Sequence, residues 1–245
     1  MQVVESTGNV CVAVVVPSGT YTRFVSFELS IEGLFVPTKS TYARNSSSSP
    51  AWNRNEAIRR AEKEITHFWL IDDDHMFDAG ILMQLLNHKL EVVCCLTQLA
   101  RPPFHPVLFS SEVFKDGRIK WVSIPWTDLD GKRGLYGPIW AAGGAGILVA
   151  RTLTDRMPDP WFALGQYVKD ECNEDMYFYD QVRKAGVPIY IDLSARLGHS
   201  APCTVFAEQD EHGLWYIVLL WDNGQTIKLG LSRSNKQQSK LIPVM

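Results

Sequence analysis

A chain of 245 residues with 46% hydrophobic and 21% charged side chains is long enough for a substantial core and has a soluble, globular composition. No apolar run approaches the roughly 18 residues that span a bilayer, so the reading expects no membrane association, and a formal net charge of −3 offers no overall attraction to nucleic acid. Five cysteines without CxxC spacing argue against a disulfide framework or a zinc site, which fits a reducing, cytoplasmic compartment, the host cytoplasm if the protein is viral.

The segment Met1–Asn9 lacks the basic stretch of a signal peptide, so the β-branched run Val10–Val16 reads as a first core strand. It ends at Pro17-Ser18-Gly19-Thr20, a backbone-rich loop that either grips a ligand or simply connects strand to helix. Phe24–Leu34 is expected to be helical and to stop at Gly33, and Ser46–Pro50 to be a connector. Asn53-Arg54-Asn55-Glu56 opens a second helix, with Ala57, Ile58, Ala61 and Ile65 on its apolar face.

That helix returns the chain to Phe68-Trp69-Leu70-Ile71, a wholly apolar strand that runs without a turn residue into Asp72-Asp73-Asp74-His75. Strand, helix and strand in this order make a βαβ unit with a parallel sheet, and ligands collect at the carboxyl ends of such strands. Three adjacent carboxylates repel one another, so a divalent ion such as Mg²⁺ or Mn²⁺ is one remedy; a helix cap or a solvated loop is the other.

Downstream, Asp78 is expected to cap a helix over Ala79–His88, and Leu90–Leu96 to form another strand. Arg101–Pro106, with three prolines, reads as a fixed loop, and Val107–Trp126 as short strands turning at Lys115–Arg118, with a second turn at Leu129–Lys132. The small residues before the strand Ile147–Ala150, Gly143 and Gly144 among them, admit either a ligand or a tightly packed strand. A helix over Met176–Gly186 follows the acidic stretch Glu171–Asp175, which suits the helix dipole. Then come a strand over Val187–Asp192, the pair Gly198-His199, a hairpin of Leu214–Leu220 and Thr226–Leu231 around Asp222-Asn223-Gly224, and a polar tail from Ser232.

The order of these motifs resembles that of the nucleotide-sugar glycosyltransferases of the GT-A fold, particularly the compact bacteriophage-type forms, over approximately Val10–Pro202. The resemblance implies an α/β, Rossmann-like, mostly parallel central sheet flanked by helices, with a small C-terminal β-hairpin. It divides the chain into a catalytic domain over 1–204, its nucleotide-sugar half about 1–100 and its acceptor half about 101–204, and a hairpin and tail over 205–245. Pro17, Ser18, Gly19, Arg54, Asp72 and Asp73 would contact the nucleotide, and Asp72, Asp74 and His199 would hold Mn²⁺ or Mg²⁺. Trp140, Gly143 and Gly144 would border the acceptor, with Asp175 the base of an inverting transfer and Glu174 its nearest rival.

Two registers stay open, because Asp73 and His75 also form a DxH pair and Arg44-Asn45 is a second Arg-Asn pair. The implied activity is transfer of a sugar from a UDP- or GDP-sugar to an acceptor hydroxyl, on a virion protein, a glycan or a modified DNA base. A Mg²⁺ nucleotidyltransferase and a noncatalytic sugar- or nucleotide-binding module are the alternatives.

Overall fold

Seven strands form the central sheet in the spatial order Leu135–Ile139, Ile189–Arg196, Val92–Leu96, Ile147–Ala150, His67–Leu70, Val12–Ser18 and Thr41–Ser46. The computed structural model describes all residues except 6–8, 19–23, 48, 114–118, 165–172, 202, 222–223, 232–241 and 244–245. Val12–Ser18 runs parallel to both Thr41–Ser46 and His67–Leu70, and Ile189–Arg196 runs parallel to Val92–Leu96. Between these two parallel groups lies the antiparallel strand Ile147–Ala150, and Leu135–Ile139 forms an antiparallel edge. The architecture is α/β, as the sequence predicts.

The first strand explains why the sheet is buried on both faces. Every residue of Val12–Ser18 is buried, and successive side chains point to opposite sides. Ala13 and Val15 join Phe68, Leu70, Ile147 and Phe178 in one core, whereas Val12, Val14 and Val16 join Phe27, Trp69, Leu82 and Leu148 in another. Each fully buried Val, Leu or Phe contributes up to about 1.5–3 kcal/mol relative to exposure. The carboxyl ends of these strands are thereby rigidly placed.

The helices differ from expectation at their ends. The second begins earlier, at Pro50, because Ser49 accepts a hydrogen bond from the Trp52 amide and Pro50 needs no donor in the first turn. It stops at Arg60, so Ile65 is buried beyond the helix. The next helix is Ile81–Asn87; Asp78 is not its N-cap, since Gly80 occupies that position and the Asp78 carbonyl accepts from the Ile81 amide. The acidic pair enters the helix Glu174–Lys184 as its first turn, and Gly186 ends it with φ +75°.

A second, six-stranded sheet has the order Ile242–Pro243, Thr226–Gly230, Trp215–Leu220, Thr204–Gln209, Gly198–Ser200 and His75–Met76. The C-terminal hairpin therefore continues through Gly198–Ser200 to the residues that follow the three aspartates. A third sheet contains Ala141–Ala142, Leu108–Val113 and Ile119–Ser123; the expected turn at Lys115–Arg118 lies outside the described residues, as do Asp222 and Asn223 of the hairpin turn. Among the described residues, no helix is long and apolar enough to cross a membrane.

Candidate active site

Val12–Ser18 and His67–Leu70 end side by side, and the Ile71 amide still donates to the Val15 carbonyl at 3.0 Å before the chain splays into the acidic triplet. The three carboxylates then diverge to three separate anchors. Asp72 Oδ1 accepts from Arg54 Nη2 at 2.7 Å; Asp73 Oδ2 accepts from the Ser18 hydroxyl at 2.6 Å; Asp74 lies between His75 and His199. Giving each acid its own partner relieves the repulsion that an adjacent triplet would otherwise carry.

The Asp74 side is built by strand pairing. His75 and His199 are direct cross-strand partners, and their rings stack with centroids 4.5 Å apart. Beside them Gly198 lets the Phe206 ring pack against the strand, since a Cβ there would sit 2.4 Å from that ring. His199 Nδ1 donates to the Gln98 carbonyl at 3.0 Å, which orients the ring so that Nε2 lies 3.2 Å from Asp74 Oδ2 and donates to it when the imidazole is protonated. Gln98 is itself fixed, its Nε2 donating to the Leu197 and Val205 carbonyls.

Burial alone would raise the pKa of Asp74, but the hydrogen bond from His199 and the close His75 ring hold it well below the usual range. Burial would lower that of His199, but the bonds to Asp74 and the Gln98 carbonyl and the charges of Asp74 and Asp72 together outweigh it and raise it. Asp74 Oδ1 and His75 Nδ1 are 2.7 Å apart yet off line for a hydrogen bond, so both are buried polar atoms without a well-formed partner. The ligand atoms of Asp74, His75 and His199 all lie within 4.8 Å of one another, a donor set that fits a divalent transition ion.

The base side is built around Arg54, only 1% exposed inside the helix Pro50–Arg60. Its Nη1 donates to Glu174 Oε1 at 2.8 Å while Nη2 holds Asp72, and Nη2 is also 3.4 Å from the Gly144 carbonyl. The adjacent Asp175 accepts from the Met176 amide at 2.8 Å through Oδ1; among the described residues its Oδ2 has no hydrogen-bond partner. Burial, reinforced by the Glu174 charge, pushes the Asp175 carboxyl up to about 6. Gly144 is packed between these groups, for a Cβ there would lie 3.0 Å from Arg54 Nη2 and 3.4 Å from Asp175 Cβ.

With this geometry in hand, comparison with solved structures is informative about the fold. A crystal structure of A197 from STIV aligns over 94% of this chain and 98% of that one, with TM-score 0.54 and 16% identity. GalNAc-T7, solved with UDP, GalNAc and Mn²⁺, aligns over 78% of this chain with TM-score 0.52 and 11% identity; the alignment spans only 44% of its length. The fold is GT-A-like. A 4-diphosphocytidyl-2C-methyl-D-erythritol synthase from Anaerococcus prevotii follows at TM-score 0.45 and 7% identity, over 75% of this chain and 89% of that one. No family model and no curated protein sequence matches the chain.

In this GT-A-like frame, the residues singled out from sequence divide into three groups. Ser18 joins Asp73, and Arg44 Nη2 reaches the same hydroxyl at 3.2 Å; Pro17 pairs in register with Asn45, while Gly19 lies outside the described residues. Gly144 adjoins Arg54 and Asp175, whereas the Gly143 carbonyl accepts from the Tyr179 hydroxyl at 3.0 Å. Trp140 is elsewhere: its ring lies under the Arg183 guanidinium, 3.5 Å from the centroid, at the opposite end of the helix from Asp175. Eight residues of helix put these positions roughly 12 Å apart along the axis.

Sequence reasoning passed over Asn53, Gln98 and Tyr179. Asn53, 1% exposed, donates to the Ser18 and Ser47 carbonyls and so ties together the ends of two parallel strands. Its signal was a polar run, Asn53-Arg54-Asn55, at positions that the helix buries. Nothing local distinguishes Gln98 or Tyr179, because their roles depend on contacts distant in sequence.

Proposed function

We propose that the protein is a metal-dependent glycosyltransferase that moves a sugar from a UDP- or GDP-sugar to an acceptor hydroxyl with inversion. The observation that carries this reading is Asp175, a buried carboxyl raised to about 6 whose Oδ2 has no hydrogen-bond partner among the described residues, next to Glu174, which Arg54 joins to Asp72 of the triplet. A general base works best with a pKa near the operating pH; Asp175 is pushed in that direction, whereas Asp74 is held low.

Ser18, Asp73 and Arg44 form a polar ledge at the strand ends that suits the nucleotide, with Pro17 and Asp72 beside it. Asp74, His75 and His199 would hold the ion, Asp72 being engaged by Arg54. When bound, a divalent ion there supplies positive charge to the diphosphate that departs. Asp175 takes the proton of the acceptor hydroxyl as the acceptor oxygen bonds to the anomeric carbon. The bond from that carbon to the phosphate oxygen breaks, and its electron pair leaves with the nucleoside diphosphate. Attack opposite the leaving group inverts the anomeric centre. Gly144, with no side chain, lets the backbone lie against Arg54 and Asp175, so the Gly143-Gly144 segment would border the acceptor through its backbone.

The resemblance of the sequence to the compact bacteriophage-type forms would make a virion protein, a glycan or a modified DNA base the acceptor. The net charge of −3 disfavours duplex DNA, whose binding needs phosphate-neutralising charge. The test is a panel of nucleotide sugars with Mn²⁺, read by thermal shift and nucleotide release. Stabilisation and slow hydrolysis of one donor are expected; indifference to the whole panel would leave the noncatalytic binding module, and pyrophosphate release from a nucleoside triphosphate the nucleotidyltransferase.

A further inference from the structure

The sequence motif makes Arg54 a nucleotide contact, but its surroundings assign it other work. The guanidinium is enclosed: Nη1 is engaged by Glu174 and Nη2 by Asp72 and the Gly144 carbonyl, the Phe162 ring lies 5.4 Å from its central carbon, and Nε is buried without an acceptor. With 1% exposure it presents no N–H to a ligand in the cleft. Its two terminal nitrogens instead fork between the first acid of the triplet and the first acid of the helix Glu174–Lys184, 18 and 120 residues away in sequence.

On the glycosyltransferase reading above, we propose that Arg54 is a positioning residue that sets the distance between the two halves of the site and selects Asp175 over Glu174 as base. Three consequences of the geometry support it. Glu174 is held by a buried charge, so its carboxylate is unavailable to an acceptor, whereas Asp175 keeps an oxygen without a hydrogen-bond partner among the described residues. Asp72 is held 2.7 Å from the guanidinium, and the ligand atoms that lie within 4.8 Å of one another are those of Asp74, His75 and His199, to which the ion is left. Gly144 lets its backbone carbonyl approach the same nitrogen, so the small-residue segment is fastened to the fork as well. A lysine carries the same charge as a point and cannot span both acids in this planar geometry.

The test compares Arg54→Gln, Arg54→Lys and Arg54→Gln/Glu174→Gln with wild type. Calorimetry with UDP and GDP in Mn²⁺ should give nucleotide affinities within about threefold of wild type for all three. With the donor that wild type uses, kcat should fall by about tenfold or more in Arg54→Gln while donor KM changes less than about threefold, and Arg54→Lys should recover part of kcat. Because the guanidinium charge favours ionised Asp175, the acid limb of the rate profile should move to higher pH in Arg54→Gln. Arg54→Gln should melt well below wild type, with Glu174→Gln restoring part of the loss by removing the unpaired buried acid.

Nucleotide affinity lowered tenfold or more in Arg54→Gln with kcat preserved would overturn the positioning role and make Arg54 a nucleotide contact. An unchanged melting temperature in Arg54→Gln would overturn it as well. Failure of wild type to bind or use any nucleotide sugar counts against the glycosyltransferase reading alone, since the melting comparison still decides whether Arg54 fastens the two elements.

Discussion

His75 and His199 stack across two antiparallel strands, ring centroids 4.5 Å apart, and the side chain of Asp74 touches both. Two imidazoles and one carboxylate make a softer ligand set than the all-oxygen shell that Mg²⁺ favours. Mn²⁺ should therefore bind at least about tenfold more tightly than Mg²⁺, as read by calorimetry. His199→Ala and Asp74→Asn should each weaken Mn²⁺ binding by about tenfold or more while the fold persists. Equal affinity for the two ions, or indifference to both substitutions, would place the ion elsewhere.

Asp175 yields a pH dependence with a definite sign. A carboxyl raised to about 6 is protonated, and inactive as a base, below that value, so transfer should decline on the acid side with a limb near pH 6. The stability contribution runs the other way. A pKa raised above the ordinary carboxyl value near 3.9 favours the folded state while the group is protonated, and that contribution is lost as pH rises from about 4 through about 6. Asp175→Asn, which can still accept the Met176 amide, should therefore be more stable than wild type at pH 7, by roughly 1–3 kcal/mol, and no more stable at pH 4. Urea titrations at the two pH values test this directly.

Much of the sheet was legible because period-two burial and uninterrupted β-branched runs act locally. Val12–Val16 and Phe68–Leu70 are buried strands in parallel register, as their composition implies. Helix ends were less legible: Ser49 and Pro50 start a helix before its first apolar residue, and Gly80 rather than Asp78 caps the next. At the site, residue types and chain order pointed to an acidic strand end and a later histidine. They did not reveal that Asp72, Asp73 and Asp74 face different partners, because backbone splay after Ile71 and pairing with Gly198–Ser200 decide that. Nor could they show that Arg54 is buried between two acids, since its partners are 18 and 120 residues away.

Gly144 offers a test of the packing around Arg54. A methyl group there would stand 3.0 Å from a guanidinium nitrogen already held by Asp72, so the arginine cannot yield without stretching that pair. Gly144→Ala should cost about 1–3 kcal/mol in denaturant unfolding and lower transfer without changing Mn²⁺ affinity. A neutral effect on both stability and transfer would mean that the segment has room the geometry denies it.

Trp140 should behave differently from Gly144. Its ring supports Arg183 at the far end of the helix, so Trp140→Ala should lower the melting temperature while leaving nucleotide affinity and donor KM within about twofold of wild type. A selective rise in acceptor KM would show that an extended acceptor reaches that end of the helix.

The most direct measurement supplies wild type and Asp175→Asn with the donor that stabilises the protein most, Mn²⁺ and candidate acceptors, and follows the glycosylated product by mass spectrometry and its anomeric configuration by NMR. The account predicts a product of inverted configuration from wild type, and transfer reduced by roughly 10² or more in Asp175→Asn with donor affinity retained. Near-normal transfer by that variant, or a product that keeps the donor's configuration, would contradict it.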